Sequence, residues 1–432
     1  MQGQNPNTLI TTINNDQNNA NDPLSNLIEL CNRHWNEQKS KHNEEDIFFS
    51  PTRFDDEGEL NKFISLLKEY TDMHRKNDID YENHLGFINK FDLPLDGKIC
   101  MRADLRGGCR SLIVFLNALV TSGLLDQNFK CNQDCHIVFL GDYCDRGYCG
   151  TQILEMLIML SLKNPGQVHL IRGNNEYIEI NEEFGSDDIC LTKVIKEDKA
   201  ALNDFYEALP LSTYMSIDKF EGPKRYIQFT NGLFDLAADP SILLDEKQSR
   251  EYVPILINRS KASDRIVQIS KDDTHPQQRQ AMRIVNLVKE HFDTCDDKKI
   301  SGYNWFHIAE KDTDIHGLYT KINASDINDY LELSAVINSV KIIFRGHFHK
   351  HSVCQYENKI IAETMTVGIS THRGYRVIHD VAYIITNENG ELRKRLLCKK
   401  TGDSMMHTSI GTKDINDIFY NAEEYRKLNL NN

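Results

Sequence analysis

Three apolar stretches, each running into a cluster of glycine and polar residues, constrain this chain more than anything else in it. "KICMRADLRGG", "CHIVFLGDYCDRG" and "QVHLIRGNNE" each read as a short strand followed by a loop. Between them lie "CRSLIVFLNALVTSGLL", closed by Gly123, and "TQILEMLIMLSLKNPG", both apolar at helical spacing. Strand, helix, strand, helix, strand predicts a mostly parallel α/β sheet, since parallel neighbours need a crossover between them. The polar sets fall at the C-terminal ends of the strands, the edge where such sheets bind ligands.

Around this unit the chain divides into segments. Residues 1–22 hold seven Asn and three Gln with few aliphatics, too little apolar surface to offset the entropy of ordering, and read as a disordered arm. "PLSNLIELCNRHW" and "DEGELNKFISLLKEYTDMHRK" carry helical spacing, so residues 24–90 are expected to form a helical cap. The core is expected over residues 91–400, with a charged helical insertion at 240–300 and a helical tail at 401–432. "RYIQFTNGLFD" and "SVKIIFRGHFHKH" read as two further strands ending in polar loops. "RVIHDVAYIITNENGEL" reads as part of a closing β-layer, with a hairpin signal at Asn389 and Gly390.

Charge narrows the partners. Fifty Lys plus Arg against 64 Asp plus Glu leave a net charge of -14, which argues against nucleic acid as the main partner. The apolar runs are too short to span a bilayer, and the first residues lack a basic stretch followed by an apolar one, which predicts no secretory signal. Eleven cysteines without a Cys-x-x-Cys pair read as scattered free thiols of a reducing cytosol.

The strand ends carry the chemistry. They supply Asp104, then Asp142, Asp145 and Arg146, then Asn174, and later Arg345, His347 and His349. Oxygen ligands and imidazoles brought to one edge suit a pair of divalent cations, Mn²⁺ foremost, with Fe or Zn²⁺ as alternatives. An Asp after the second strand can bridge two metals, and Arg146 offers a planar fork to phosphate oxygens. One Asp-Gly at a strand end is usually a turn. Two Asp and an Arg in "GDYCDRG" have no packing rationale in a loop.

Taken in order, "GDYCDRG", "RGNNE" and "RGHFH" resemble the phosphoprotein phosphatase family, within the calcineurin-like metallophosphoesterases, over roughly residues 95–395. The resemblance implies an α/β sandwich of two mixed β-sheets flanked by helices, and metal-dependent hydrolysis of a phosphoprotein substrate. It makes Asp104 a ligand of a first metal, Asp142 the bridge, and Asn174 and His347 ligands of a second. Asp145 becomes the partner of the acid and Arg146 a phosphate clamp. The segment around Trp305 is similar to the family's Trp-containing stretch. The Asn-rich arm and added helices further resemble the Wip effectors of Legionella, which would place the chain in a host cytosol.

The chain departs from the family pattern at three histidines: Arg106 and Thr230 stand at ligand positions, and Asn175 stands where the acid is expected. His349, two residues beyond His347 on an extended segment, can restore a third ligand to the first site. Arg106 can clamp phosphate, or take the first metal's place as a fixed charge and leave one metal or none. Loss of the acid matters most for alkyl phosphates, because a phenolate leaves unassisted more readily. Phosphotyrosine is therefore expected to be favoured over phosphoserine and phosphothreonine. The rival expectation is a pseudophosphatase that keeps the cleft and Arg146 to hold a partner without turnover.

Overall fold

The computed structural model describes residues 22–39, 57–144, 149–183, 189–217, 225–233, 240–244, 251–256, 307–308, 321–322, 340–347, 352–356, 360–364, 379–388, 391–401, 404–406 and 413–414. Helices α1 (Pro23–Lys39) and α2 (Glu57–His74) come first, followed by strands β1 (His84–Leu93) and β2 (Lys98–Arg102). Then α3 (Cys109–Thr121), β3 (Cys135–Phe139), α4 (Gly150–Lys163) and β4 (Val168–Leu170) complete the alternation read from the sequence. Next come α5 (Ile178–Glu183), α6 (Ile189–Glu207), β5 (Ser212–Ile217), β6 (Arg225–Thr230), α7 (Ser241–Leu244) and β7 (Tyr252–Leu256). The short β8 (His307–Ile308) and β9 (Lys321–Ile322) precede β10 (Val340–Arg345), β11 (Ser352–Tyr356), β12 (Ile360–Thr364), β13 (His379–Glu388), β14 (Glu391–Thr401), β15 (Ser404–Met406) and β16 (Lys413–Asp414).

Two mixed seven-stranded sheets result. One runs β11-β12-β10-β6-β5-β1-β7; the other runs β15-β14-β13-β2-β3-β4, with β16 beside β14. β2, β3 and β4 pair in parallel, as the helical crossovers require. β13 and β14 close the second sheet as an antiparallel hairpin. Alternation along the strands explains the layering: Ile99, Met101, Val138 and Leu140 face the core between the sheets, while Cys100, Ile137 and Phe139 face the helices. Phe229 and Phe344, from adjacent β6 and β10, stack within the inter-sheet core.

The N-terminal helices lie over the outer face of α4 and α6. Leu27 and Ile28 of α1 and Phe63 and Leu67 of α2 join the same buried cluster as Leu157 and Phe205. Removing one such fully buried leucine costs about 2–5 kcal/mol. Asp22 starts α1 by accepting the Ser25 N–H at 3.0 Å, and its carboxylate also pairs with Lys163 at the end of α4 at 2.6 Å. Among the described residues, no helix is long and apolar enough to cross a membrane.

Three expected boundaries differ. The helical cap expected at 24–90 ends before residue 84, because β1 enters the first sheet beside β5. Of the insertion expected to be helical at 240–300, the described residues hold the short helix α7 and the strand β7, which pairs with the open edge of β1, and residues 257–300 lie outside the described residues. In the tail expected to be helical, the described residues form β15 and β16 on β14. An unpaired strand edge offers hydrogen bonds that helical periodicity does not reveal.

Candidate active site

The loops after β2 and β3 of one sheet and after β10 of the other meet through unusual backbone. Asp104 (φ 46°), Arg106 (φ 44°), Asp142 (φ 57°) and His347 (φ 64°) all lie in the left-handed region. Such conformations cost non-glycine residues about 1–3 kcal/mol each and gather at functional sites. Glycines make the approach possible. A Cβ on Gly141 would stand 2.6 Å from the Gly173 backbone, and one on Gly346 would collide with the Asp104 carboxylate. Main-chain bonds lace the first two loops: Asp104 N–H donates to Gly141 O at 3.2 Å, Arg106 N–H to Asp142 O at 2.8 Å, and Gly107 N–H to Tyr143 O at 3.0 Å.

Two clusters share Asp142, which is fully buried. On one side, Arg106 Nη2 donates to Asp142 Oδ2 at 2.6 Å and to Asp104 Oδ2 at 3.3 Å. The other Asp104 oxygen accepts the His347 N–H at 2.8 Å. On the other side, the Asn174 amide oxygen lies 2.8 Å from His347 Nδ1. That same amide position is 3.0 and 3.2 Å from the two Asp142 carboxylate oxygens, and turning the amide over would let its NH₂ donate to all three acceptors. Burial pushes the Asp104 carboxyl up to about 7, with Arg106 pulling the other way. Burial, and then the charge of Asp142, push Glu176 up to about 8.

Asp142, Asn174 and His347 fit a divalent cation. The Asn174 oxygen lies within about 3 Å of both the Asp142 carboxylate and His347 Nδ1, which is itself 4.0 Å from Asp142 Oδ2; such a set is relieved by a proton or a cation, and oxygen with imidazole is the donor set of Mn²⁺, Fe or Zn²⁺. Among the described residues, no three His, Cys, Asp or Glu side chains form such a group, so an amide completes the set.

Of the other expected residues, Arg345 is buried at the end of β10. Asn175 is buried, donates its N–H to Asp142 Oδ1 at 3.2 Å, and its side-chain NH₂ has no hydrogen-bond partner among the described residues. Thr230 is turned away, its hydroxyl 3.5 Å from Leu211 O. Asp145, Arg146 and His349, with Trp305, lie outside the described residues.

Two residues had no role in the sequence reading. Glu176 accepts N–H groups from Asp142 and Tyr143 at 2.8 Å and from Gly173 at 2.7 Å, tying the second loop to the third. Asn231 donates to Leu140 O at 2.9 Å and accepts the Asn174 N–H at 3.3 Å. The signal was present for each: an acid directly after "RGNN", and a polar residue directly after the β6 strand.

The sequence pattern of the calcineurin-like phosphoesterase family matches residues 71–351, and the chain belongs to that family. Over 100 residues it is 31% identical to serine/threonine-protein phosphatase SIT4 of Candida albicans, covering 23% of this chain and 30% of that protein. Over 60 residues it is 42% identical to serine/threonine-protein phosphatase PP2A-like PPG1 of Saccharomyces cerevisiae, covering 14% and 16%. The chain thus spans 30% or less of the length of these relatives. Among solved structures, it is similar to a protein serine/threonine phosphatase from Saccharomyces cerevisiae with similarity to human phosphatase PP5. That match has 15% identity and a TM-score of 0.47, over 82% of this chain and 92% of the other. The family uses divalent metal ions, in keeping with the donor set described above.

Proposed function

We propose that the chain is a divergent metal-dependent protein phosphatase that hydrolyses phosphomonoesters, with phosphotyrosine preferred over phosphoserine and phosphothreonine. The observation that carries this reading is the convergence of Asp142, Asn174 and His347 on one point at the sheet edge. The relatives named as serine/threonine-protein phosphatases support a phosphoprotein as the substrate class. A divalent cation held there, Mn²⁺ as the first choice, supplies Lewis-acid activation of water and of the phosphoryl group.

The residues of the chain do the rest. His347 and Asn174 set the position of the cation, and Glu176 fixes the loops that carry Asp142 and Asn174. Arg146 is assigned to hold the phosphate by its planar fork and Arg345 to add positive charge behind it. Asn175 can donate a hydrogen bond to a leaving oxygen but cannot give up a proton at neutral pH. A phenolate, with a pKa near about 10, tolerates this better than an alkoxide. Asp145 is assigned to orient that amide.

A second reading, a pseudophosphatase that binds phosphoprotein without turnover, is favoured by Arg106. Its guanidinium already bridges Asp104 and Asp142, and a turned Asn174 amide would satisfy the remaining acceptors with no metal at all. The two readings part on hydrolysis of an aryl phosphate by metal-stripped protein resupplied with Mn²⁺. Turnover that needs Mn²⁺ and is lost in Asp142→Asn supports the enzyme; no turnover and no bound metal leave the binding module.

A further inference from the structure

We propose that Arg106 is a built-in substitute for one metal ion, so that the site takes a single divalent cation, held by Asp142, Asn174 and His347. The inference rests on the reading of this site as a metal-dependent phosphatase and specifies its composition.

Buried carboxylates need a counter-charge. Asp104 and Asp142 are 4% and 0% exposed, and their Oδ2 atoms share one guanidinium nitrogen of Arg106, at 3.3 and 2.6 Å. The point between the two carboxylates is therefore taken by a charge that is covalently part of the chain. A dication at the same point would meet the guanidinium within a few Å at low dielectric, where like charges repel strongly.

The main chain that carries the arginine is held against the second loop. The Arg106 backbone N–H is bonded to Asp142 O at 2.8 Å, and the neighbouring Asp104 and Gly107 N–H groups are bonded to Gly141 O and Tyr143 O. Its left-handed backbone, φ 44°, is part of that lacing. Nη2 is committed to two carboxylates, which anchors the guanidinium between them. Asp104 is committed as well, with one oxygen on Arg106 and the other on the His347 N–H at 2.8 Å. That second bond requires Gly346, since any side chain there would strike Asp104.

The opposite face of Asp142 is different in kind. There the Asn174 oxygen and His347 Nδ1 lie 2.8 Å apart beside the Asp142 carboxylate, and with Nδ1 unprotonated all three can turn lone pairs to one cation. One position carries its own charge, and the other offers ligands to one from solution. With both carboxylates ionised, Asp104, Asp142 and Arg106 sum to minus one, and one dication reverses the sign of that cluster.

The test is cation stoichiometry on the full chain, stripped with chelator, loaded with Mn²⁺ and desalted. Elemental analysis should find one Mn²⁺ per chain, and electron paramagnetic resonance should show the six-line spectrum of an isolated ion. Orthovanadate, as a phosphate analogue, should bind at least tenfold more weakly without Mn²⁺. Arg106→His should raise the count to two and replace the six-line signal with that of a coupled pair. Two Mn²⁺ per wild-type chain would overturn the inference and leave the metal-dependent phosphatase standing. No Mn²⁺ in the wild type would overturn both. An Arg106→His protein that folds and still holds one ion would show that the guanidinium is not what excludes the second, and would also overturn it. Because the wild-type count stands alone, a variant that fails to fold does not shield the proposal.

Discussion

The carboxylate of Glu176 accepts the backbone N–H of Asp142 at 2.8 Å, so one buried acid holds another by its main chain while leaving its side chain to the site. The same carboxylate takes the N–H of Tyr143 and of Gly173, and three donors from two loops converge on one group. The relative position of Asp142 and Asn174 thus depends on a residue that touches neither side chain's functional atoms.

Replacing Glu176 with Ala should destabilise the protein by about 3–5 kcal/mol, since three buried N–H groups lose their acceptor at once. Glu176→Gln keeps part of the set and should cost about half as much. Urea unfolding midpoints measure both. A Glu176→Ala protein within ~1 kcal/mol of wild type would show that the loops are held together by other means.

Asn175 sets the leaving-group preference. Phosphotyrosine peptides should be hydrolysed faster than phosphoserine peptides of matched sequence, at the same Mn²⁺ concentration. Asn175→His should raise kcat on phosphoserine by about 10²-fold and change phosphotyrosine far less. Steady-state kinetics on the two peptide series checks this, and equal gains on both would mean that the proton has another source.

Gly141 and Gly123 separate backbone strain from collision. Both have positive φ, 88° and 68°, but a Cβ on Gly123 meets nothing within 4 Å, whereas one on Gly141 meets Gly173 at 2.6 Å. Gly123→Ala should cost about 1–2 kcal/mol, the strain alone. Gly141→Ala should cost about 3 kcal/mol or more and lower Mn²⁺ affinity, because the loops carrying Asp142 and Asn174 must separate. Denaturation and Mn²⁺ titration on both variants give the comparison, and equal losses would contradict it.

Acid sensitivity should be traceable to His169. Its ring stacks on Phe91 at 4.1 Å, with Nε2 3.1 Å from His136 Nδ1. Burial, and then the neighbouring His136 and His74 rings, lower it from 6.5 to about 3. The folded state therefore binds fewer protons than the unfolded state between these values. Its stability is intact above pH 6.5 and falls as the pH drops towards 3. Allowing for the ring's partial exposure, the loss between about pH 6.5 and 5 should be ~1 kcal/mol. Unfolding free energies at both pH values should show a smaller drop in His169→Phe; an unchanged drop would place the sensitivity elsewhere.

The sequence by itself determined the parallel β2–β3–β4 unit and its two crossover helices, because periodicity and strand ends are local properties. It also brought Asp104, Asp142 and Asn174 to one edge, since polar residues directly after neighbouring parallel strands fall together; His347 joins them from the other sheet, which only the tertiary structure decides. It left the role of Arg106 open between a clamp and a fixed charge. Only the tertiary structure pairs Arg106 with both carboxylates, one of them 36 positions away, through a left-handed turn that no periodicity announces. The same holds for Glu176, two of whose three partners lie on a neighbouring loop, and for β7, β15 and β16, which exist because sheet edges had unpaired hydrogen bonds to offer. Local spacing decides what a segment can be; partners distant in sequence decide which of its charged groups are spent inside the fold and which remain for a ligand.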